Sequence, residues 1–282
     1  SSGSGPRSPR GAPAPAGAGR RTPLSLVRTE IRDHVGTVTL ANLEKRNALS
    51  KDLVHELASA LDGMQDLKVR AIVLRAPAGS KVWSAGHDVR ELPVSGRDPL
   101  AYDDPLLVAI RKIQYLPIPV IAMIEGAVWG GACDLAFSCD ILIGCPTTSF
   151  TMTPAKIGVP YNVTGILHFM NMLPVNTVRE MFFTALPVEA EAAYRLGVLN
   201  DLVPVEELER HTYEKAGAIT RNSPLSISAI KEQIRLLSMA HPLTPNMFEL
   251  IQGLRRRVYD SHDYREGIQS FFEKRRPVFT GE

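Results

Sequence analysis

Hydrophobic positions along the chain first follow a strand pattern and then recur at helical spacing. The segment SLVRTEIRDHVGTVTLAN predicts two strands that turn near Asp33 to Gly36, since β-forming residues follow at Val35, Val38 and Leu40. Ser50 then precedes apolar residues spaced three and four apart, at Leu53, Leu57, Ala60 and Leu61. That spacing places them on one face of a helix, and a serine ahead of such a face predicts a helix cap.

Three further apolar runs, VRAIVLRAP, IPVIAMIEG and ILIGC, are typical of strands buried on both faces. The first leads into the loop GSKVWSAGHD and a polar stretch from Pro93 to Pro105, and a loop of that length is usually functional or mobile. The second leads into AVWGGACDLAFSCD, where paired glycines begin a short helix. This alternation predicts an α/β fold whose ligands bind at the loops that follow the strands.

Strand signals end near residue 205. Helical patterns then cover residues 206–221, 225–239 and 243–257, and a last one runs from Tyr264 to about Arg275. Residues 1–23 are rich in proline and glycine and contain no acidic residue, so we predict a disordered leader there. The chain thus divides into a leader at 1–23, an α/β core at 24–205 and a helical subdomain at 206–282 that packs on the core or on another subunit.

Composition and charge exclude several classes of function. The 282 residues are 44% hydrophobic and 22% charged, which is ordinary for a globular protein with a sizeable core. Without the four arginines of the leader, 28 basic residues remain against 30 acidic ones, a net charge of −2 for residues 24–282. A slightly acidic body is a poor match for a nucleic-acid binder. No apolar run reaches the roughly 20 residues that span a bilayer.

The three cysteines indicate no metal or disulfide chemistry. Cys133, Cys139 and Cys145 lie six residues apart, with no CxxC motif and no flanking histidine pair. Neither a zinc site nor a disulfide framework is therefore expected. We interpret them as small buried thiols in a reducing compartment, which favours a cytoplasmic protein.

Two glycine-containing loops are the best candidates for chemistry. Gly130 and Gly131 open a helix, where free backbone N–H groups and the helix dipole favour an oxyanion. The loop SAGHD adds a second donor, the N–H of His87, just ahead of a predicted helix start at Asp88. Each feature also has a plainer interpretation. Paired glycines make tight turns that serve packing alone, and a single histidine in a loop is more often structural than catalytic.

Several segments together resemble the crotonase superfamily, the relatives of the enoyl-CoA hydratases and isomerases: KRNALS, SAGHDVREL, IEGAVWGGACDLAFSCDILI and FFEKRRP. The resemblance runs from about Leu26 onward. It implies a spiral of ββα units, a C-terminal helical oligomerisation region that builds trimers or dimers of trimers, and an oxyanion hole made of two backbone N–H groups. By position, those donors are His87 and Gly131.

The same resemblance implies where an acyl-coenzyme A substrate is held. It places Lys45 and Arg46 near the phosphates or the ribose of coenzyme A. It implies that Ala85 and Asp88 lie by the arm that bears adenine. Phe271 and Lys274 are implied to reach the adenine and the phosphates from a neighbouring subunit. Cationic side chains suit phosphates, although surface lysines usually only aid solubility.

Hydratases of the superfamily use two acidic residues, one that activates water and one that delivers a proton. By resemblance the first position is Asp134, and the second, in FTMTPAKIG, is Ala155. An alanine cannot transfer a proton, so hydration lacks one partner. Decarboxylation needs no base, because the loss of carbon dioxide itself generates the enolate. The site has only to orient the leaving carboxylate and stabilise the oxyanion.

At a finer level the chain resembles the biotin-independent methylmalonyl-CoA decarboxylases of the superfamily. The shared segments are SAGHD followed by ELP, GRDPLAYDDPL, VWGGA, MTPAKIGVPYNVTGI and RRRVYDSHDYREG. The resemblance implies that Tyr161 orients the substrate carboxylate by a hydrogen bond, with Thr153 in the same pocket. The plainer interpretation is a core tyrosine whose hydroxyl bonds to backbone.

Asp134 departs from the pattern of these relatives, which usually have glutamate at this position. A carboxylate ~4 Å from the substrate carboxylate would repel it by roughly 4 kcal/mol at an effective dielectric constant of 20. We therefore expect Asp134 to point away, to be paired, or to act as a late proton source.

The implied reaction is decarboxylation of methylmalonyl-CoA to propionyl-CoA through a thioester enolate held by the oxyanion hole. Malonyl-CoA is an expected weaker substrate, and neither biotin nor a metal ion is expected. Two alternatives stay open: a hydratase or isomerase that manages with Asp134 alone, and a non-catalytic member that binds RNA or another partner. The charge of residues 24–282 does not support RNA binding.

Overall fold

The computed structural model describes residues 25–94, 96–238 and 244–282, so the predicted leader lies outside the described residues. The strands are β1 Val27–Arg32, β2 Val35–Leu40, β3 Ala71–Arg75, β4 Val82–Ser84, β5 Val120–Ile124, β6 Ala127–Trp129, β7 Ile141–Gly144, β8 Ser149–Thr151, β9 Val188–Glu189 and β10 Asp201–Leu202. The α-helices are α1 Lys51–Asp66, α2 Pro105–Tyr115, α3 Gly131–Phe137, α4 Val163–Met172, α5 Val175–Thr184, α6 Ala190–Arg195, α7 Val205–Thr220, α8 Pro224–Ser238, α9 Pro245–Tyr259 and α10 His262–Phe272. Short 3₁₀ turns are Leu43–Lys45, Val89–Glu91 and Pro154–Ile157.

From β3 to β8, successive strands belong alternately to two sheets. Among the described residues the first sheet has the order β1-β2-β3-β5-β7-β10 and is parallel except for the β1–β2 hairpin. The second has the order β4-β6-β8-β9, with β4, β6 and β8 parallel. Each of β3, β5 and β7 is followed by a strand of the second sheet and then by a helix. This repeat is the spiral of ββα units, and the predicted fold class is confirmed.

The central strands β3 and β5 are buried along their whole length, as the apolar runs predict. On one side of the first sheet, Val73 and Ile121 pack with Leu208 and Ala216 of α7. The opposite side joins the larger apolar cluster, which includes residues of α1 and α2. Covering both faces explains why these strands lack alternating polar positions.

The predicted cap of α1 is confirmed, because the Ser50 hydroxyl accepts a hydrogen bond from the N–H of Leu53 at 3.3 Å. Two other local predictions were wrong. The segment GSKVWSAGHD contains strand β4, and AVWGGACDLAFSCD begins with strand β6 before its helix. Both strands have only three residues, which is too short for a periodic pattern to show.

The C-terminal helices pack on the core in several places. Lys231 of α8 donates to the carbonyls of Ile113 and Ile118, and the Tyr264 hydroxyl of α10 donates to the carbonyl of Pro93. The division at residue 205 stays a prediction. None of the helices in the described ranges is both long and apolar enough to cross a bilayer.

Candidate active site

A pocket of about 550 Å³, partly open to solvent, lies where the loops after β4 and β6 meet α2 and the segment after β8. Most of its wall is apolar and includes Val89, Leu92, Leu100, Leu106, Leu107 and Ile157. Its polar side chains are His87, Thr153 and Tyr161, and no aspartate or glutamate is among the described residues that line it. The predicted residues Ala85 and Gly131 also line it. The pocket thus lies at the loops that follow the strands, as the sequence predicts.

The loop SAGHD is held against residues 46–49 by backbone hydrogen bonds. The N–H of Leu49 donates to the carbonyl of Gly86 at 2.8 Å, and the N–H of Ala85 donates to that of Arg46 at 2.9 Å. Leu49 and His87 form an isolated parallel bridge. In such a bridge the N–H of His87 points away from Leu49, which leaves it free to face the pocket.

The second loop turns sharply at Gly130, whose φ of 53° and ψ of −125° favour a residue without a side chain. Its N–H donates to the carbonyl of Thr151 at 2.8 Å, and Gly131 then begins α3. A Cβ placed on Gly131 would lie 3.6 Å from the backbone nitrogen of His87. The two loops therefore face each other across a gap about the size of one ligand atom.

The backbone N–H groups of His87 and Gly131 have no hydrogen-bond acceptor among the described residues. The first N–H groups of a helix lack partners within the helix, and the helix dipole adds partial positive charge there. Two free donors facing one gap at an apolar pocket can hold an oxyanion. The geometry therefore suits the predicted oxyanion hole.

Both ring nitrogens of the His87 side chain have hydrogen-bond partners beside the pocket. Its Nε2 lies 3.3 Å from Oδ2 of Asp104, the residue that caps α2, and its Nδ1 lies 3.2 Å from the carbonyl of Asp88. Burial disfavours the charged ring, but the hydrogen bond and charge of Asp104 outweigh it, so the pKa of His87 lies above its ordinary value. Both partners are acceptors, which suits the imidazolium form with its two donors.

We expect His87→Ala to lower kcat/KM by less than about tenfold, because the proposed donor is a backbone N–H that the substitution keeps. It should instead lower stability, since a hydrogen bond to a charged group contributes about 1.5–3 kcal/mol. The pKa is raised on folding, so this contribution is full below the unfolded value of about 6.5 and is lost as pH rises through the folded pKa. Melting curves of both proteins across this pH range check the result. A deficit that grows with pH would contradict it.

Asp134 is fully buried and paired. Its Oδ2 accepts a hydrogen bond from the Tyr161 hydroxyl at 3.0 Å, and its Oδ1 lies 2.7 Å from Nδ1 of His168. Of the three expected arrangements, the structure shows the paired one, and Asp134 itself does not line the pocket. Burial, followed by the charge and hydrogen bond of Asp134, raises the pKa of Tyr161 well above its ordinary value. Tyr161 therefore carries its proton at neutral pH.

Tyr161 forms part of the pocket wall and is 8% exposed. The residue belongs to the buried apolar core, as in the plainer interpretation, but its hydroxyl bonds to the Asp134 carboxylate rather than to backbone. A phenol has one proton, and here that proton is donated to Asp134. A hydrogen bond from Tyr161 to a bound carboxylate therefore requires the hydroxyl to rotate away from Asp134.

The segment after β8 supplies Thr153 and Pro154 to the pocket wall, whereas Ala155 is exposed on the 3₁₀ turn and does not line it. Ala155, the position compared with the second acid of a hydratase, therefore lies one or two residues along the chain from the residues that line the pocket. The neighbouring lining positions carry no carboxylate either, so a second acid is missing from this part of the wall.

Sequence analysis missed Arg255, which is 5% exposed and connects three segments at the pocket. Its guanidinium donates to the Asp98 carboxylate at 2.6 Å and to the carbonyls of Tyr161 and Leu100 at 3.1 and 3.3 Å. The polar loop is therefore held in place at Asp98 and Leu100. The sequence did contain a signal for this pair, since Arg255 and Asp98 lie in two of the segments that resemble the decarboxylases.

Of the predicted coenzyme A contacts, Ala85 lines the pocket, and the others lie beside it or away from it. Lys45 and Arg46 are exposed, next to the strand of backbone that holds Ala85. The buried Asp88 carboxylate caps the turn at Val89 and forms an ion pair with Arg90, which lowers its pKa. Two more predicted contacts are exposed and do not line this chain's pocket: Phe271 and Lys274.

The three cysteines are free and buried, and burial raises the pKa of the Cys133 and Cys139 thiols. Buried thiols with a raised pKa are unreactive. Across residues 25–94, 96–238 and 244–282, no group of three or more histidine, cysteine or acidic side chains could hold a metal ion.

Comparisons with known proteins agree with this geometry. The family described as enoyl-CoA hydratase/isomerase matches residues 30–282, and the chain belongs to this family. The resemblance to the crotonase superfamily is thereby confirmed.

One relative is the methylmalonyl-CoA decarboxylase of Escherichia coli (strain K12), 50% identical over 237 residues that cover 84% of this chain and 91% of that protein. A solved structure of methylmalonyl-CoA decarboxylase complexed with 2S-carboxypropyl-CoA has a TM-score of 0.90 at 46% identity and covers 93% of this chain and 100% of its own. Another, in complex with 2-nitronate-propionyl-CoA, has a TM-score of 0.89 at 47% identity, with 91% and 99% covered. The resemblance to this group of decarboxylases is confirmed.

Proposed function

We propose that the protein is an acyl-CoA decarboxylase that converts methylmalonyl-CoA to propionyl-CoA and carbon dioxide. The observation that carries the proposal is the pair of N–H groups at His87 and Gly131, which have no acceptor in the described part of the chain and face an apolar pocket lined there by no acid. The 50% identity to the Escherichia coli methylmalonyl-CoA decarboxylase supports the choice of substrate. Malonyl-CoA, which lacks one methyl group, is the expected weaker substrate.

The thioester oxygen is placed between the two N–H groups. When the bond from Cα to the carboxylate breaks, its electron pair enters the thioester π system, and the negative charge develops on this oxygen. Carbon dioxide leaves, and one proton then adds to Cα to give propionyl-CoA. Orbital overlap requires the carboxylate to stand out of the plane of the thioester, so the pocket wall has to hold one rotamer of the acyl group.

The apolar wall favours this reaction. A carboxylate loses hydration when it enters a pocket lined by Leu100, Leu106 and Leu107, whereas carbon dioxide is neutral and loses little. The charge also becomes spread over the enolate as the bond breaks. No base is needed, which fits a lining with no carboxylate, and we propose that neither biotin nor a metal ion takes part.

For coenzyme A we propose contacts on the exposed rim of the pocket. Lys45 and Arg46 suit the phosphates or ribose, with Ala85 near the adenine-bearing arm. The Asp88 carboxylate forms an ion pair with Arg90, so we propose that it holds the loop SAGHD beside the adenine-bearing arm and does not itself bind coenzyme A. The remaining contacts, Phe271 and Lys274, are proposed to come from a neighbouring subunit.

We propose that Tyr161 orients the substrate carboxylate and that Thr153 lines the same pocket. Tyr161→Phe should lower the decarboxylation rate about fivefold or more, the equivalent of one net hydrogen bond of ~1 kcal/mol. Coenzyme A binding should stay unchanged, because the ring and the rim remain. Steady-state kinetics and titration with coenzyme A check both parts. Full activity in this variant would remove Tyr161 from the mechanism.

Self-association is supported by apolar side chains that lie exposed on the C-terminal helices, among them Leu225, Ile234, Leu237, Phe248, Leu250 and Leu254. Exposed apolar patches of this kind mark interaction surfaces. We propose a homotrimer or a homohexamer. Sedimentation equilibrium should give three or six times the 30.9 kDa chain mass, and a monomer would contradict the proposal. The free cysteines favour a cytoplasmic location.

The function is tested by incubating the purified protein separately with methylmalonyl-CoA, malonyl-CoA and crotonyl-CoA. The masses of the thioester products are then measured. We expect methylmalonyl-CoA to lose carbon dioxide and crotonyl-CoA to stay unchanged. Gain of water by crotonyl-CoA would instead favour a hydratase that uses Asp134 alone. No change in any of the three would favour a non-catalytic member that binds RNA or another partner.

A further inference from the structure

Asp134 presents a problem for a substrate that carries its own carboxylate. The Asp134 side chain is fully buried in the first turn of α3, three residues after the proposed donor Gly131. It lies directly behind Tyr161, a residue of the pocket wall. A second negative charge this close disfavours a carboxylate in the pocket unless its charge is offset and its position is fixed.

His168 supplies a hydrogen-bond partner for the Asp134 carboxylate. It lies on α4, its side chain is 11% exposed, and its Nδ1 is 2.7 Å from Oδ1 of Asp134. The Tyr161 hydroxyl occupies the other oxygen at 3.0 Å. The two carboxylate oxygens thus have partners from different parts of the chain, and His168 itself is not among the residues that line the pocket.

Gln114 contacts the ring nitrogen of His168 that does not face Asp134. Its side-chain amide nitrogen lies 2.7 Å from Nε2 of His168. An amide can donate from its nitrogen to a neutral ring or, turned over, accept with its oxygen from a charged ring. Gln114 therefore suits either protonation state, and in both states Nδ1 carries a hydrogen for Asp134.

We propose that His168 is a positioning residue that holds the Asp134 carboxylate behind Tyr161 and offsets its charge. The pocket is thereby open to an acyl group that bears a carboxylate. This role rests on the proposed function, since a neutral acyl group would gain nothing from it.

Two substitutions at one position separate this role from simple packing. In His168→Asn the amide nitrogen stands close to the place of Nδ1 and still reaches Asp134. In His168→Gln the amide stands close to the place of Nε2, so it reaches Gln114 but not Asp134. A role in packing alone would make the two variants behave alike.

The readout is binding of a carboxylate-bearing ligand, 2S-carboxypropyl-CoA, compared with the neutral propionyl-CoA, by calorimetric titration. We expect His168→Gln to bind carboxypropyl-CoA on the order of tenfold more weakly, because an unpaired Asp134 repels it. Propionyl-CoA binding should stay within about twofold, since it carries no such charge. His168→Asn should stay within about threefold for both ligands, because it keeps one hydrogen bond to Asp134.

The double variant His168→Gln with Asp134→Asn should recover carboxypropyl-CoA binding, because the unpaired charge is gone. Equal losses for both ligands, no loss at all, or a selective loss that Asp134→Asn does not relieve would each overturn the proposal. If circular dichroism shows that His168→Gln does not fold, the single variant Asp134→Asn provides the test of the proposal. It must then bind carboxypropyl-CoA at least as tightly as the unchanged protein, and weaker binding overturns the proposal.

These titrations need no turnover. A protein that releases no carbon dioxide from methylmalonyl-CoA would end the proposed function, whereas the ligand comparison would still decide the role of His168. The two failures are therefore distinguishable.

Discussion

Gly131→Ala should reduce kcat/KM for methylmalonyl-CoA by about 10²–10³, because its methyl group would keep the thioester oxygen from reaching the two N–H groups, an effect comparable to losing one oxyanion-hole donor. The added methyl group would lie 3.6 Å from the backbone nitrogen of His87, in the gap where the thioester oxygen is proposed to sit. Its nearest neighbour is Cδ2 of Leu106 at 2.7 Å, the end of a flexible side chain that can move aside. Alanine also suits the first turn of a helix better than glycine.

The fold should therefore survive while the chemistry is lost. Steady-state kinetics give the activity, and thermal melting shows whether the protein is folded. Gly63→Ala is a matched control, because a Cβ there meets nothing within 4 Å and the residue lies in α1, away from the pocket. Near-normal kcat/KM in folded Gly131→Ala would show that the gap does not hold the thioester oxygen.

Gly165→Ala should reduce decarboxylation by about 10²-fold, which is the effect expected when a positioning group moves by roughly 1 Å. A Cβ on Gly165 would lie 2.3 Å from Cε1 of Tyr161 and 2.7 Å from Oδ2 of Asp134. Both contacts are too short, so the Tyr161 ring and its hydrogen bond to Asp134 must shift. Crowding of this kind also lowers stability by about 1–3 kcal/mol.

The effect of Gly165→Ala should exceed that of Tyr161→Phe, because the ring itself is displaced rather than trimmed by one oxygen. Kinetics at a temperature well below the melting point separate lost activity from lost structure. Coenzyme A titration checks that the rim still binds. A folded variant with activity equal to that of Gly63→Ala would mean that the position of Tyr161 does not matter.

The parts of the fold and site that sequence could predict depend on residues close together in the chain. The cap at Ser50 is formed with Leu53, and the turn at Gly130 directly precedes the helix that it opens. Apolar runs such as that of β5 are also recognised as strands from sequence, since every residue of this strand is apolar and buried. Local patterns of this kind are set by backbone sterics and by periodicity.

The missed parts depend on partners far away in the sequence. Arg255 binds Asp98 over a separation of 157 residues, and Asp134 finds His168 across 34. No local pattern predicts either pair, because only the folded chain brings α9 to the polar loop and α4 to α3. The three-residue strands β4 and β6 were missed for a related reason. They are recognised as strands because they pair with each other, and neither segment shows a strand pattern by itself.

The central claim is that an enolate forms here by loss of carbon dioxide and then takes up a proton. The most direct measurement is to run the reaction on methylmalonyl-CoA in D₂O and to quantify carbon dioxide and the thioester product by mass spectrometry. The account predicts one carbon dioxide for each propionyl-CoA formed, with one deuterium at Cα when solvent supplies the proton. Consumption of methylmalonyl-CoA without carbon dioxide, or no consumption by the folded protein, would contradict it.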